Sequence, residues 1–337
     1  MAKTIQVAAD RAYDPTKTVL PVEVARGIYI ENPPSAQALK LMHLLIAKAG
    51  GRMAEEVQHE MRMADLKHIE GMRNHDRASL RTLFTQLRAA VMVYDDTEAQ
   101  EEIIGGFMDE IRLDYRQEVV DTLVVKWWFG RTFRRIAAES NHWAILDRQT
   151  VFALSSKYSI LLFQHIASLA NLDRIDRKSF TVPELRALFG VEGGKLDRFA
   201  DLNRRALQPA IAEINQLSRL KLKATPRKTG RTVTSVEISW KLKADPTDAK
   251  QELARPKVGR KARQEGTVET LPAVFPETGG IGYSPRWLDL KQQAGCNMDN
   301  ILIATNFRRF LDERGVARDV ANIESLFLSY CRKIGRV

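Results

Sequence analysis

From Asp147 to Lys241 the chain reads DRQTVFALSSKYS (147–159), an apolar segment, FTVPELRALFGV (180–191), RRALQPAIAEIN (204–215), and two alternating segments either side of KTGR (228–231). Leu220, Leu222 and Ala224 alternate with Lys221 and Lys223, and Val233, Val236, Ile238 and Trp240 form the returning strand. Helix, short helix, basic helix and strand hairpin follow one another in that order. A winged helix-turn-helix needs this order to lay one helix in a DNA major groove and a basic wing on the flanking backbone.

At about 100° per residue, Phe199, Ala206, Ala210, Ile214 and Leu217 share one face of the basic helix. Arg204 and Gln208 project away from that face, and Arg198 and Arg205, seven apart, lie together on a flank. Arg pairs bidentately with guanine edges and Gln with adenine edges, so these four are the expected groove readers, with Asn203 and Lys195 beside them. Arg227, Lys228, Thr229 and Arg231 form the expected wing tip, whose cations meet phosphates and set register without reading sequence. Pro209 removes one backbone donor, so the helix is expected either to kink there or to start afresh after Gln208. Taken alone, such a helix would read as an amphipathic surface element with a solvated basic face. Its place between a turn and a basic hairpin argues for the DNA reading.

Charge agrees with this. Lys195–Arg231 holds ten basic and three acidic residues, an excess of seven in a chain of net charge +10. A polyanionic partner is favoured, although charge alone is weak evidence. Length and 44 % hydrophobic content suit two or three globular domains. Cys296 and Cys331 are the only cysteines and lack zinc-site spacing, so two reduced thiols are expected. The opening MAKTIQVAAD lacks the apolar core of a secretion signal and the apolar run at 160–172 is broken by polar residues, so a cytoplasmic, non-membrane protein is expected. No catalytic residue, metal site or cofactor is expected: there is no Lys-Ser/Thr phosphate loop, and GGIG (279–282) lacks the context of a dinucleotide fingerprint. Asp109, Glu110 and Asp114 could be imagined holding Mg²⁺ in a nickase, but alternating strands place such carboxylates in solvent. Tyr158 lacks the histidine cluster that strand-nicking chemistry would need.

Outward from this stretch, the expected fold class is α+β, mostly helical, with two tandem winged-helix domains and a small C-terminal helical module. Residues 1–19 read as a flexible arm, 20–146 as an N-terminal winged-helix domain, and 147–245 as the C-terminal DNA-binding one. Residues 246–282 read as a basic Pro/Gly linker and 283–337 as the helical module. In the first domain Leu80, Leu83, Phe84, Leu87 and Val91 repeat at helical spacing after the cap Asp76, and apolar or alternating runs at 103–114 and 122–127 suggest strands. Arg77, Arg81 and Arg88 are candidate auxiliary DNA contacts, but Asp95, Asp96, Glu98, Glu101 and Glu102 would load the wing with charge that phosphates repel. This domain suits pairing with a second copy.

KYSILLF (157–163), FTVPELR (180–186) and RRALQPAIAEIN (204–215) resemble the conserved blocks of the iteron-binding plasmid replication initiators, a family of two tandem winged-helix domains. The resemblance covers roughly residues 20–243; before 147 only the order of elements agrees. It implies a protein that binds direct repeats at a plasmid origin as a monomer, opens neighbouring AT-rich DNA and helps recruit the host initiator ATPase and replicative helicase. It also implies dimerisation through the first domain to repress its own promoter at an operator inverted repeat. Arg198, Arg204, Arg205 and the Arg227–Arg231 wing would meet the iteron. The alternatives are a winged-helix transcriptional repressor and, third, the metal-dependent nickase. The segment beyond 246 departs from the family plan; its Phe307-Arg308-Arg309-Phe310 and Tyr330-Cys331-Arg332-Lys333 could engage single-stranded DNA or a partner protein.

Overall fold

A computed structural model describes residues 3–334 except 12–13, 15, 27, 67–75, 97–98, 116–122, 171, 173–174, 267–273, 283 and 321–322. The chain forms two compact units, Met1–Lys257 and Val258–Val337.

The second winged helix follows the expected order. An apolar helix, Lys157–Ala170, leads through a strand, Arg177–Thr181, to a short helix, Val182–Leu188. That short helix begins where it does because the Thr181 hydroxyl accepts from the Glu184 N–H while the Glu184 carboxylate accepts from the Thr181 N–H, with Pro183 in the first turn. The basic helix follows, and then a hairpin, Leu220–Thr229 and Thr232–Leu242, whose second strand also pairs with Arg177–Thr181. The sheet order is thus first hairpin strand, second hairpin strand, leading strand.

The first half repeats this topology. Helix Ala36–Ala49, capped by Ser35, precedes strand His59–Arg62, the short helix Met63–Leu66 and helix Arg77–Ala89, which starts in a capping box between Asp76 and Ser79. The sequence suggests a short helix around 64–70, of which the part beyond 66 falls outside the described residues. The hairpin Met108–Asp114 and Val124–Phe129 then pairs through its second strand with His59–Arg62. One extra element intervenes, a hairpin of Val91–Asp96 and Glu101–Gly106 that joins Ile28–Glu31 in a separate sheet. The acidic residues Asp95, Asp96, Glu101 and Glu102 therefore belong to this inserted hairpin and not to the wing, and Glu98, counted with them, lies outside the described residues. Helix Arg131–Glu139 starts against it so closely that a Cβ on Gly130 would meet the Gly106 carbonyl at 2.5 Å.

The two halves are fused into one unit. Helix Lys157–Ala170 is buried along most of its length, and the buried apolar side chains of both halves form a single cluster running from Ile5 to Trp240. Gly190, at φ +54°, presses on Pro33 of the first half, where a Cβ would sit at 2.7 Å. The expected boundary at 146/147 is thus a strand-to-helix junction inside a shared core. Each large side chain fully buried there, such as Trp127, Phe107, Phe129 or Phe133, contributes about 1.5–3 kcal/mol relative to exposure.

Two segments expected to be loose hold helix or strand among their described residues. In place of a flexible arm, Lys3–Asp10 is a helix that buries Thr4, Ile5 and Ala8, and the Thr4 hydroxyl donates to the His142 carbonyl at 3.0 Å. Behind it Lys17–Pro21 pairs antiparallel with Trp143–Asp147. The expected linker divides between the units. Thr247–Ala254 is a helix of the first unit with Ala249 and Glu252 buried, whereas Phe275 and Ile281 are fully buried in the second.

The second unit contains the three helices expected from Tyr283 onward: Pro285–Gln293, Asn300–Glu313 and Ile323–Ile334. Asp299 caps the middle one by accepting from the Ile301 and Leu302 N–H groups. Phe275, Trp287, Phe307 and Phe327 interlock edge-to-face or tilted, with centroids 4.8–5.3 Å apart. Cys296 and Cys331 are free and buried beside them, and burial pushes the Cys331 thiol up to about 12.

Candidate nucleic-acid interface

The basic helix resolves the Pro209 alternatives in a third way. Phe199–Leu202 is α-helical, Asn203–Leu207 forms a single π turn, and α-helix resumes over Gln208–Leu217. The Gln208 N–H donates to the Asn203 carbonyl five residues back, and Pro209, which has no N–H to offer, falls in the first turn of the resumed helix. The helix therefore runs on through Pro209 without a break. Ala206, Ala210, Ile214 and Leu217 are buried as the periodicity requires.

The opposite face carries the expected readers. Arg204 and Arg205 are 72 % and 64 % exposed and share Asp201, whose Oδ1 lies 3.0 Å from Arg204 Nη2 and 4.0 Å from Arg205 Nε. Gln208 is exposed and its Nε2 donates to Asn203 Oδ1 at 3.2 Å; Asn203 is half-buried. Arg198 is exposed and precedes the helix as its extended N-cap residue. Lys195 is exposed in the preceding turn, where the Glu192 carboxylate at 2.6 Å holds its ammonium above the usual lysine range. Lys195, Arg198, Arg204, Arg205 and Gln208 are thus exposed on the turn and the helix it leads into.

Three positioning residues escaped the sequence reading. Arg186, on the short helix, donates Nη1 to the Leu196 carbonyl and Nη2 to the Lys195 carbonyl at 2.5 and 2.7 Å. Leu196 sits at φ +51°, a conformation costing about 1–2 kcal/mol for a residue with a Cβ, and the Arg186 fork holds the turn that launches the basic helix. Asn215 ties the far end of that helix to the wing, its amide bonding both the N–H and the carbonyl of Leu222. Buried Glu213 accepts from the Ser155 N–H at 2.7 Å and fixes the helix to the scaffold. All three contacts span positions whose pairing no local periodicity reveals.

The wing is a two-residue turn, Gly230–Arg231, with Gly230 at φ +62°. Arg227, Lys228, Thr229 and Arg231 are all exposed; Arg227 lies 3.2 Å from Glu237, and the Thr229 and Thr234 hydroxyls are 3.3 Å apart. The paired strand Arg177–Thr181 stops opposite Ser235, so the tip extends beyond the three-stranded sheet.

In the first half the corresponding helix is less available. Arg88 Nε donates to the Asp109 carbonyl at 3.2 Å and the Arg77 guanidinium lies 4.3 Å over the Tyr115 ring. Arg77, Arg81 and Arg88 line a hollow of about 620 Å³ shared with Asp109 and Glu110. Of the carboxylates considered for metal binding, Glu110 pairs with Arg112 at 2.6 Å and Asp114 lies 3.9 Å from Lys126. Among the described residues no group of three His, Cys, Asp or Glu side chains is placed to hold a metal ion, and no helix is long and apolar enough to cross a membrane. Tyr158 packs edge-on against Phe189. In the second unit Phe307 is fully buried and cannot stack on a base, whereas Phe310 and Tyr330 are half-buried with centroids 4.9 Å apart and Arg314 lies over Phe310.

Fold and exposed basic helix together define a tandem winged-helix protein. The model of the first winged helix of the initiator replication proteins matches residues 28–167, and that of the second winged helix of the initiator Rep proteins matches residues 181–240. Together they span more than half of the chain, which belongs to the initiator Rep protein family. The first match ends within helix Lys157–Ala170, the element both halves share. Among solved structures, the Pi initiator protein in complex with iteron DNA is 19 % identical with a TM-score of 0.50, covering 68 % of this chain and 98 % of that one, a likeness of fold. Domains 2 and 3 of RctB align at 11 % identity and a TM-score of 0.36, over 62 % of this chain and 83 % of that one, too distant to carry weight. No curated protein matches the chain.

Proposed function

We propose that this protein is a plasmid replication initiator that binds direct repeats, or iterons, at its origin through the second winged helix. The observation that carries the reading is the exposed set of Arg198 at the cap and Arg204, Arg205 and Gln208 on a helix whose other face is core, followed by an exposed basic wing. The fold shared with the Pi initiator protein, which was solved with iteron DNA, supports it. The helix reads base edges and the wing holds phosphates, a division that gives sequence preference on top of salt-dependent affinity. Arg77, Arg81 and Arg88 add weaker backbone contact. Bound repeats then promote opening of adjacent DNA and recruitment of the host initiator ATPase and replicative helicase. A dimer formed through the first domain represses the protein's own promoter at an inverted repeat. The protein acts without catalysis, in the bacterial cytoplasm, on the plasmid, and its second unit engages single-stranded DNA through the Phe310 and Tyr330 surface.

Footprinting of the full chain on fragments of its own replicon, across a salt series, tests this reading. Protection of evenly spaced direct repeats is expected. Salt-sensitive binding with no preferred sequence would refute it.

A further inference from the structure

A groove of about 1270 Å³ opens in the first unit, between the N-terminal segment, strand Trp143–Asp147, helix Lys157–Ala170 and helix Thr247–Ala254. None of the residues assigned to DNA contact lines it. Its floor is apolar: Phe163 is buried, Trp143, Ile145, Phe152 and Leu253 keep part of their surface open, and Leu172 at the lip is 40 % exposed. Its rim is cationic, with Arg11, Lys17, Arg26, Arg219 and Lys250 against Asp147 as the sole acid among the described lining residues. Lys17 already neutralises Asp147 at 2.9 Å, and Arg26 is engaged by Ser168. Asp14 and Asp245 lie just outside the lining beside Arg11 and Lys250, and with them counted the five cations of the rim still outnumber three carboxylates.

An apolar floor offers nothing to a phosphate backbone, so duplex DNA is the wrong occupant. The volume exceeds the roughly 300–1000 Å³ of a pocket for a small molecule and suits the side chains of a helix face. Helix-in-groove recognition uses apolar anchors at i, i+3, i+4 and i+7, with specificity set by flanking charge. We propose that this groove docks an acidic amphipathic helix of a partner protein, its apolar stripe on the Trp143, Phe152 and Leu253 floor and its carboxylates toward Arg11 and Lys250. The walls come from both winged-helix halves and from the helix beyond the wing, so an occupant here contacts the framework that orients the two halves.

The test uses the full chain and a fluorescein-labelled sixteen-residue helical peptide with leucines at i, i+3, i+4 and i+7 flanked by glutamates, read by anisotropy. A control peptide carries lysine at each glutamate position. Saturable one-to-one binding of the acidic peptide is expected, with at least tenfold weaker binding of the lysine peptide. An Arg11→Glu/Lys250→Glu variant should lose at least tenfold for the acidic peptide while keeping wild-type circular dichroism and duplex affinity. Absence of saturable binding, equal binding of both peptides, or wild-type affinity in that variant would overturn the proposal. So would displacement of the peptide by duplex DNA together with its loss in an Arg204→Ala/Arg205→Ala variant, because the peptide would then occupy the DNA face. Duplex affinity is read separately, so failure here leaves the DNA-binding assignment standing.

Discussion

The two winged helices have the same connectivity and opposite surfaces. In both, the strand before the short helix pairs with the second strand of the hairpin, and the third helix packs its apolar face inward. In the second, the outward face of that helix carries exposed arginines answered by one aspartate, and the wing beyond it is basic. In the first, Arg77 lies over Tyr115 and Arg88 donates to the Asp109 carbonyl while Arg81 stays exposed, and a separate acidic hairpin stands nearby in sequence. Topology therefore does not tell the two halves apart. The side chains on one helix face and one hairpin do, as expected where function is grafted on a fold.

The largest effect expected from this contrast comes from Arg204→Ala/Arg205→Ala. Each bidentate base contact is worth about 1–3 kcal/mol, so the pair should lose about a hundredfold or more on specific repeats and far less on scrambled duplex, measured by titration of both. Equal losses on the two would mean that these side chains meet phosphates only. Next comes acid sensitivity of the core that both halves share. Burial lowers His43 from the ordinary 6.5 to about 4 and His165 to about 3, so both stay neutral in the fold. Once unfolded they take up protons below about pH 6.5, so stability should fall as pH drops from 6.5 toward 4, by up to about 1.4 kcal/mol per histidine per unit. Thermal midpoints over that range should show both halves melting together; separate transitions would argue for independent domains.

Arg186→Ala should cost about 1–3 kcal/mol of stability, since the turn at Leu196 loses its charged donor, and should weaken repeat binding more than wing variants do. Replacing Arg227, Lys228 and Arg231 by Ala should weaken all duplexes alike and lower the salt slope by up to about 0.9 for each phosphate left without its cation. The matched triple change at Arg77, Arg81 and Arg88 should lower it less, and an equal fall would break the comparison. The smallest effect is a gain: Asp201→Asn frees Arg204 and Arg205 and should tighten binding a few-fold with reduced salt tolerance, seen in the same titrations.

Local pattern carried the second winged helix almost whole. Its helices, hairpin and exposed cations follow from spacings of two to four residues, because the buried face of an amphipathic element must repeat with the backbone's own period. The same periods marked Leu80, Leu83, Phe84 and Leu87, whereas Val91, counted with them, opens a strand, and the run 103–114 divides between the inserted hairpin and the wing. Contacts between distant segments were not legible. Lys3–Asp10 is too short and polar to announce itself, and is ordered by Ser140 and His142, more than 130 residues away. Phe307 and Phe310 are alike on paper; packing against Phe275 and Phe327 decides that only the second keeps an open face. Pro209 announced a disturbance whose form depended on how the flanking turns packed, and the answer was a π turn. For the second winged helix the sequence by itself determined which elements form and which faces they bury, since both depend on neighbours within one or two turns. Only the tertiary structure decided the fusion of the halves, the grip of Arg186 on Leu196 and the different fates of two arginine-bearing helices, because those rest on which remote groups come within a few ångströms.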